Sequence, residues 1–348
     1  CTAHPQVLRA AMSQMEVPRL LIESTCNQVN QFGGYTGMTP QDFVDYVHNL
    51  ANEQGFPLDR IILGGDHLGP NVWQNEPASS AMQKSIDLVK AYVQAGYRKV
   101  HVDCSMRLAD DPAGALAPHV IAERASNLIE AAESVALCPL EYVIGTEVPV
   151  PGGAVTHEET VAVTLVPDVK ETLELHRKAL HSKSLDRVWQ RILAVVVQPG
   201  VEFGDDFVLA YRSEAAAHLA EFIQTQPLHY EAHSTDYQTV DALGDMVRDG
   251  FRILKVGPEL TFAYREAMFA LSIMEEQLVA KDHRAALIQT LDQVMLADPQ
   301  YWGKYYSGDD AAREFKRKFS LSDRIRYYWT NPTVETAVRK LLSNLDSK

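Results

Sequence analysis

Long apolar runs are missing from this 348-residue chain. No stretch reaches the roughly 18 consecutive apolar residues that a membrane-crossing helix needs, so no transmembrane helix is expected. Cysteine is scarce. Cys1, Cys26, Cys104 and Cys138 fall without CxxC spacing, which argues against a disulfide framework or a zinc knuckle and for a reducing, cytoplasmic setting. Positive charge is also short, with 32 Lys and Arg against 46 Asp and Glu and a net charge of −14. That balance speaks against nucleic acid and anionic membrane surfaces as partners, and it obliges any anionic substrate to find a local cation. A GxxxxGK[ST] loop is lacking, so no nucleotide is expected. There is no initiator Met and no apolar leader, so an upstream piece is expected to be missing and no secretory signal is visible. No linker rich in Pro, Gly or Ser interrupts the chain, which reads as one domain over 1–348.

What is present is a strand followed by a helix, many times over. Apolar runs of strand length occur as "LLIEST" (20–25), "RIILGGDH" (60–67), "KVHVDCS" (99–105), "EYVIGTE" (141–147), "ILAVVVQPG" (192–200), "HYEAHSTD" (229–236) and "RILKVGPEL" (252–260). Between them lie helical patterns. Thr39 and Pro40 make an N-cap and first turn ahead of Phe43, Val47 and Leu50 on one face, and Gly96 stops a helix carrying Ile86, Val89 and Val93. Strands apolar throughout imply a parallel sheet covered on both sides. Seven units, with an eighth strand expected upstream of Cys1, predict an α/β fold of the (β/α)8 TIM barrel type. The open doubly wound sheet is the alternative. Beyond residue 260 the pattern is helical and aromatic, and a helical extension is expected over roughly 280–348.

Each strand ends in residues capable of chemistry: Glu23, Asp66 with His67, Asp103, Glu147, Gln198 with Glu202, His233 with Asp236, and Lys255. In a barrel these ends converge on one face, where the active sites of this fold lie. Acids and imidazoles crowded together call for a cation, and His nitrogen with carboxylate oxygen suits a divalent metal such as zinc or manganese. The expected ligands are His67, Glu147 and His233, with Asp66 and Glu147 as candidate acid or base. Glu23, Asp103, Gln198, Ser234, Asp236 and Lys255 are candidate substrate contacts. Gly257, at a helix start after a strand, is a candidate phosphate position. Each of these residues could instead cap a loop. "PVPGG" (149–153) reads as a turn or a lid, "SLSDRIRYYW" (320–329) as a packed terminal segment or a subunit contact, and Cys104 as a buried small hydrophobe.

The blocks "NQVNQFGGYTGMTP", "GGDHLGPN", "IGTEVPVPGG", "VVVQPGVEF", "EAHSTDYQ", "LKVGP" and "LSDRIRYYW" resemble the GatZ/KbaZ family over essentially the whole chain. These are accessory subunits of class II D-tagatose-1,6-bisphosphate aldolase, in galactitol, N-acetylgalactosamine or tagatose catabolism. The resemblance implies a TIM barrel, a catalytic aldolase subunit as partner, a small sugar or sugar phosphate as ligand, and a homo-oligomer as a further option. In the catalytic subunit a catalytic Asp precedes a zinc-binding His, and Asp66–His67 is similar to that pair. His233 in "EAHST" looks like the His of its "HGAS" turn. Glu147 in "IGTEVP" stands where "GTAHG" has a His, which sets this chain apart from the aldolase pattern while leaving a metal ligand in place. The alternatives are a metal-dependent sugar or sugar-phosphate epimerase or aldolase in its own right and, least of all, a tagatose-6-phosphate kinase, a label some family members carry.

Overall fold

The computed structural model describes residues 1–14, 16–146 and 161–346. Glu147 and the expected 149–153 turn lie outside the described residues. The chain divides into two compact units, the first comprising described residues 1–14, 16–146, 161–201 and 209–255, the second 202–208 and 256–346.

In the first unit seven strands form one parallel sheet. Four alternate with helices in sequence: β1 (Leu20–Thr25), α2 (Pro40–Gln54), β2 (Ile61–Leu68), α3 (Ala78–Gln94), β3 (Lys99–Val102), α4 (Pro118–Glu133) and β4 (Glu141–Ile144), with α1 (Pro5–Met12) ahead of them. They are followed by α5 (Val166–Ser182), β5 (Ile192–Val196), α6 (Ser213–Ile223), β8 (His229–Ala232), α7 (Val240–Arg248) and β9 (Phe251–Leu254), while β6 (Glu202–Phe203) and β7 (Val208–Leu209), which but for Leu209 belong to the second unit, make a separate two-stranded sheet. The seven strands expected within the chain all form. The helices form where the capping signals predict: the Thr39 side chain accepts the Asp42 amide while the Asp42 carboxylate accepts the Thr39 amide, a reciprocal cap on the two free donors of α2. Phe43, Val47 and Leu50 are buried on the inner face of α2, each contributing about 1.5–3 kcal/mol by leaving water.

The sheet is strongly curled. β1 and β9 stand at opposite ends of the strand order, about 29 Å apart if the sheet were flat. Yet Lys255, one residue past β9, makes an ion pair with Glu23 of β1, and Lys99 of β3 reaches Glu231 of β8 at 2.5 Å. These contacts run across the inside of a barrel. The fold is α/β of the TIM-barrel type: the described residues contribute seven parallel strands, with β1 and β9 as unpaired ends of the sheet.

The second unit contains α8 (Pro258–Leu278), α9 (Leu287–Ala297), α10 (Asp310–Phe319) and α11 (Pro332–Asp346). Its own core includes Met268, Leu291, Trp302, Tyr328 and Leu341. α8 contributes Met268 and Phe269 to that core. The 320–329 segment is packed inside it. Ile325, Tyr328 and Trp329 are buried, and buried Asp323 accepts from Thr261 Oγ1 at 2.6 Å and pairs with Arg265 at 3.1 Å.

Candidate functional site

Side chains alternate between the two faces of a strand, and this alternation builds the site. In β3 and the residue after it, Val100 and Val102 join the main apolar core between sheet and helices, while Lys99, His101 and Asp103 point to the barrel interior and are at most 3% exposed. Tyr230 and Ala232 of β8 likewise join the outer core and Glu231 and His233 turn inward. Interiors of this fold usually fill with branched apolar residues; here Val143, Ala194, Val196 and Ile253 form only a small apolar cluster of that kind. The expectation of strands apolar throughout is corrected: four of the seven, β1, β2, β3 and β8, carry charge on their inner face.

Asp66 and His67 are neighbours in sequence, so a regular strand would point them apart. They meet because His67 has a left-handed backbone, φ 48°, and the β2–β3 register shifts between Gly65 and Leu68. A non-glycine residue in that region is strained, and such strain collects at functional positions. The glycines around the pair serve close approach. A Cβ on Gly64 would stand 2.7 Å from Glu23 Oε1, and one on Gly69 only 1.8 Å from the Asp103 carbonyl oxygen. Gly69→Ala is thus expected to push the end of β3 away, break the His67–Asp103 contact and destabilise the unit by about 2–3 kcal/mol, readable by urea unfolding.

The polar groups pair completely enough to be read as a network. Asp66 Oδ1 lies 2.8 Å from both His101 Nδ1 and Lys255 Nζ, and the His67 amide donates to the same His101 Nδ1 at 3.2 Å. Asp103 Oδ2 meets His67 Nδ1 at 2.8 Å, and its Oδ1 accepts from the Ser105 amide and hydroxyl. His233 Nε2 is 3.0 Å from Glu231 Oε1. Lys99 bridges Glu23 Oε1 at 2.6 Å and Glu231 Oε2 at 2.5 Å. Cys1 Sγ lies 3.1 Å from Asp66 Oδ2.

The electrostatics follow from the pairing. Burial alone would raise every carboxylate, but Lys255 and Lys99 outweigh it at Glu23 and Glu231, and Lys255 with His67 and His101 at Asp66. Glu23 is lowered, and Asp66 and Glu231 lie well below the ordinary carboxylate range. Asp103 falls to about 2, its burial overcome by His67. Burial would likewise lower His67, but Asp66 and Asp103 raise it. His233 goes the other way, to about 4, since burial dominates its bond to Glu231.

Of the residues expected from the sequence, Glu23, Asp66, His67, Asp103, His233 and Lys255 therefore share one buried cluster. Ser234 follows His233 in a left-handed turn with φ 54°, and Asp236 is buried two residues on. Gln198 is turned to its own loop, its Oε1 accepting the amides of Gly200 and Val201. Glu202 in β6 accepts the amide of Phe203, and Gly257 is the N-cap of α8 in the second unit. Cys104 is fully buried and its thiol is pushed up by burial. Sequence reasoning missed Lys99, His101 and Glu231. Their signal was a charged residue at every second position, K-H-D in "KVHVD" and E-H in "EAH".

Asp66, His101, Glu231 and His233 each bring a ligand atom within 4.8 Å of the others, so this group could hold a metal ion. Its donor chemistry fits. His101 Nδ1 is engaged, 2.8 Å from Asp66 Oδ1 and 3.2 Å from the His67 amide nitrogen, so the ring's other nitrogen, Nε2, is the one left for a ligand. That Nε2 is buried without a hydrogen-bond partner, the carboxylate–histidine arrangement typical behind a metal. His67 stands beside the group, its ring 4.9 Å from that of His233, with Nδ1 committed to Asp103.

The family model described as "D-tagatose-1,6-bisphosphate aldolase subunit GatZ/KbaZ-like" matches residues 1–348. The chain belongs to this family. A GatZ subunit of D-tagatose-1,6-bisphosphate aldolase from Klebsiella pneumoniae is 53% identical, over 99% of this chain and 83% of the relative. One from Salmonella heidelberg is 51% identical, over 100% and 83%. A solved structure from Sinorhizobium meliloti 1021, called a probable tagatose 6 phosphate kinase, superposes with a TM-score of 0.91 at 44% identity, covering 99% of this chain and 86% of that one. No helix of the described residues is long and apolar enough to cross a membrane.

Proposed function

We propose that this GatZ/KbaZ-like chain is the accessory subunit of D-tagatose-1,6-bisphosphate aldolase, stabilising and activating a catalytic class II partner in the cytoplasm. The observation that carries the reading is the pairing of the cluster's acids with buried lysines and histidines. A general base works best with a pKa near the operating pH, and Asp66, Glu231 and Asp103 are held far below it by buried lysines and His67. Such a cluster fixes strand ends in place and offers no carboxylate poised to move a proton. Co-expression tests this: the partner's thermal half-life and specific activity rise several-fold when this chain is present, and unchanged values for both sink the reading.

A second reading is favoured by the Asp66–His101–Glu231–His233 group: a sugar or sugar-phosphate epimerase or aldolase using one zinc or manganese ion. The metal would supply Lewis-acid polarisation of a carbonyl or of vicinal hydroxyls, while Lys255 and His67 orient the anionic parts of the substrate. Elemental analysis finding no stoichiometric metal, with turnover untouched by chelation, rejects it. Kinase activity has no support in the loops, which lack a phosphate-cradling GxxxxGK[ST] motif, and ATP consumption with tagatose 6-phosphate is expected to be nil.

A further inference from the structure

We propose that the Lys255 ammonium holds the seat a divalent cation would take between Asp66 and Glu231, so that lysine and metal exclude one another. This rests on the reading of the chain as an accessory subunit and supplies a physical cause for it.

Lys255 Nζ lies 2.8 Å from Asp66 Oδ1 and 3.6 Å from Glu231 Oε1, and pairs with Glu23 as well. Asp66 and Glu231 are two of the four residues able to converge on an ion. A zinc or manganese ion bonded to their oxygens at about 2.0–2.2 Å would share those oxygens with the ammonium, at a separation where charges of one sign repel strongly in a buried setting. The other flanks are taken too: His101 Nδ1 is 2.8 Å from the same Asp66 oxygen, and Lys99 holds Glu231 Oε2. The side chain is 7% exposed, so it has no ready escape to water. Among the described residues its other anchor is Glu23. A metal enters only when Lys255 retreats to that carboxylate alone. Two lysines therefore do for this cluster what a metal does in a catalytic one. His101 Nε2 is buried without a hydrogen-bond partner, a donor that the lysines do not engage.

The test is calorimetric titration of Zn²⁺, and separately Mn²⁺, into purified wild type, Lys255→Met and Lys255→Arg at fixed ionic strength. Lys255→Met is expected to take up one ion at least about tenfold more tightly than wild type, while Lys255→Arg, which keeps the charge, stays weak. Adding Glu231→Gln to Lys255→Met removes the gain. If Lys255→Met does not fold, the charge-balanced pair Glu23→Gln/Lys255→Gln is compared with Glu23→Gln alone, and the same tightening is expected. Equal affinity across wild type and Lys255→Met, or a wild type that binds a stoichiometric ion more tightly, overturns the proposal. Because the readout is metal affinity, failure here is separate from failure of the accessory reading, which the partner's stability reports.

Discussion

Lys99→Met is expected to destabilise the barrel unit by about 3–5 kcal/mol, the usual loss when one partner of a buried ion pair is removed. Lys99 is 2% exposed and joins Glu23 at 2.6 Å to Glu231 at 2.5 Å, both carboxylates nearly or fully buried. Removing the ammonium leaves two buried charges with less compensation, and burial then drives them towards protonation. The cost comes from the abandoned carboxylates rather than from the lost attraction. Neutralising one of them should return part of it, so Lys99→Met/Glu231→Gln is expected to be more stable than Lys99→Met alone. A double-mutant cycle in urea gives the coupling directly. A loss under 1 kcal/mol for Lys99→Met would mean that the network is not the structural keystone its geometry implies.

Acid is expected to unfold the protein in two stages. His233 and His176 are buried and lowered to about 4, chiefly by burial; His176 keeps only a 2.8 Å bond between Nδ1 and the Thr172 carbonyl. An unfolded chain protonates both rings near pH 6.5, and the native state refuses the proton until about pH 4. Their contribution is thus full above 6.5 and lost as pH falls to 4, roughly 3 kcal/mol for each ring. Asp103 follows, with stability present above its ordinary value of 3.8 and lost as pH falls through about 2. His67 has the opposite sign: its raised pKa stabilises fully below 6.5, and that part is lost as pH rises through the folded value. Urea unfolding between pH 7 and pH 4.5 should show stability falling steeply, and His176→Gln should flatten the slope. A pH-independent midpoint over that range would contradict the burial of these rings.

Much of this was legible in the sequence, for local reasons. Apolar runs closed by Gly, Pro and polar residues located every strand of the main sheet, and Thr39 with Pro40 announced α2. The convergence of Glu23, Asp66, His67, Asp103, His233 and Lys255 followed from barrel geometry alone. Lys99, His101 and Glu231 stayed hidden because a strand covered on both faces was expected to be apolar on both, whereas one face here meets a charged interior. Their partners could not be guessed from spacing: Lys99 finds Glu23 from 76 residues away, and Lys255 finds it from 232. Nor does any pattern in "GGDHLG" foretell the left-handed turn at His67 that lets two adjacent residues enter one cluster. α8 follows the last barrel strand as an ordinary barrel helix would, and only its contacts with α9 and α11 give it to the second core.

The most direct test is turnover by the purified chain alone, assayed for cleavage of D-tagatose 1,6-bisphosphate with and without added Zn²⁺ or Mn²⁺, and then with the catalytic aldolase subunit supplied. No cleavage alone in either condition, with the partner's activity rising several-fold on addition, is the predicted result. Metal-dependent cleavage by the chain on its own would contradict it.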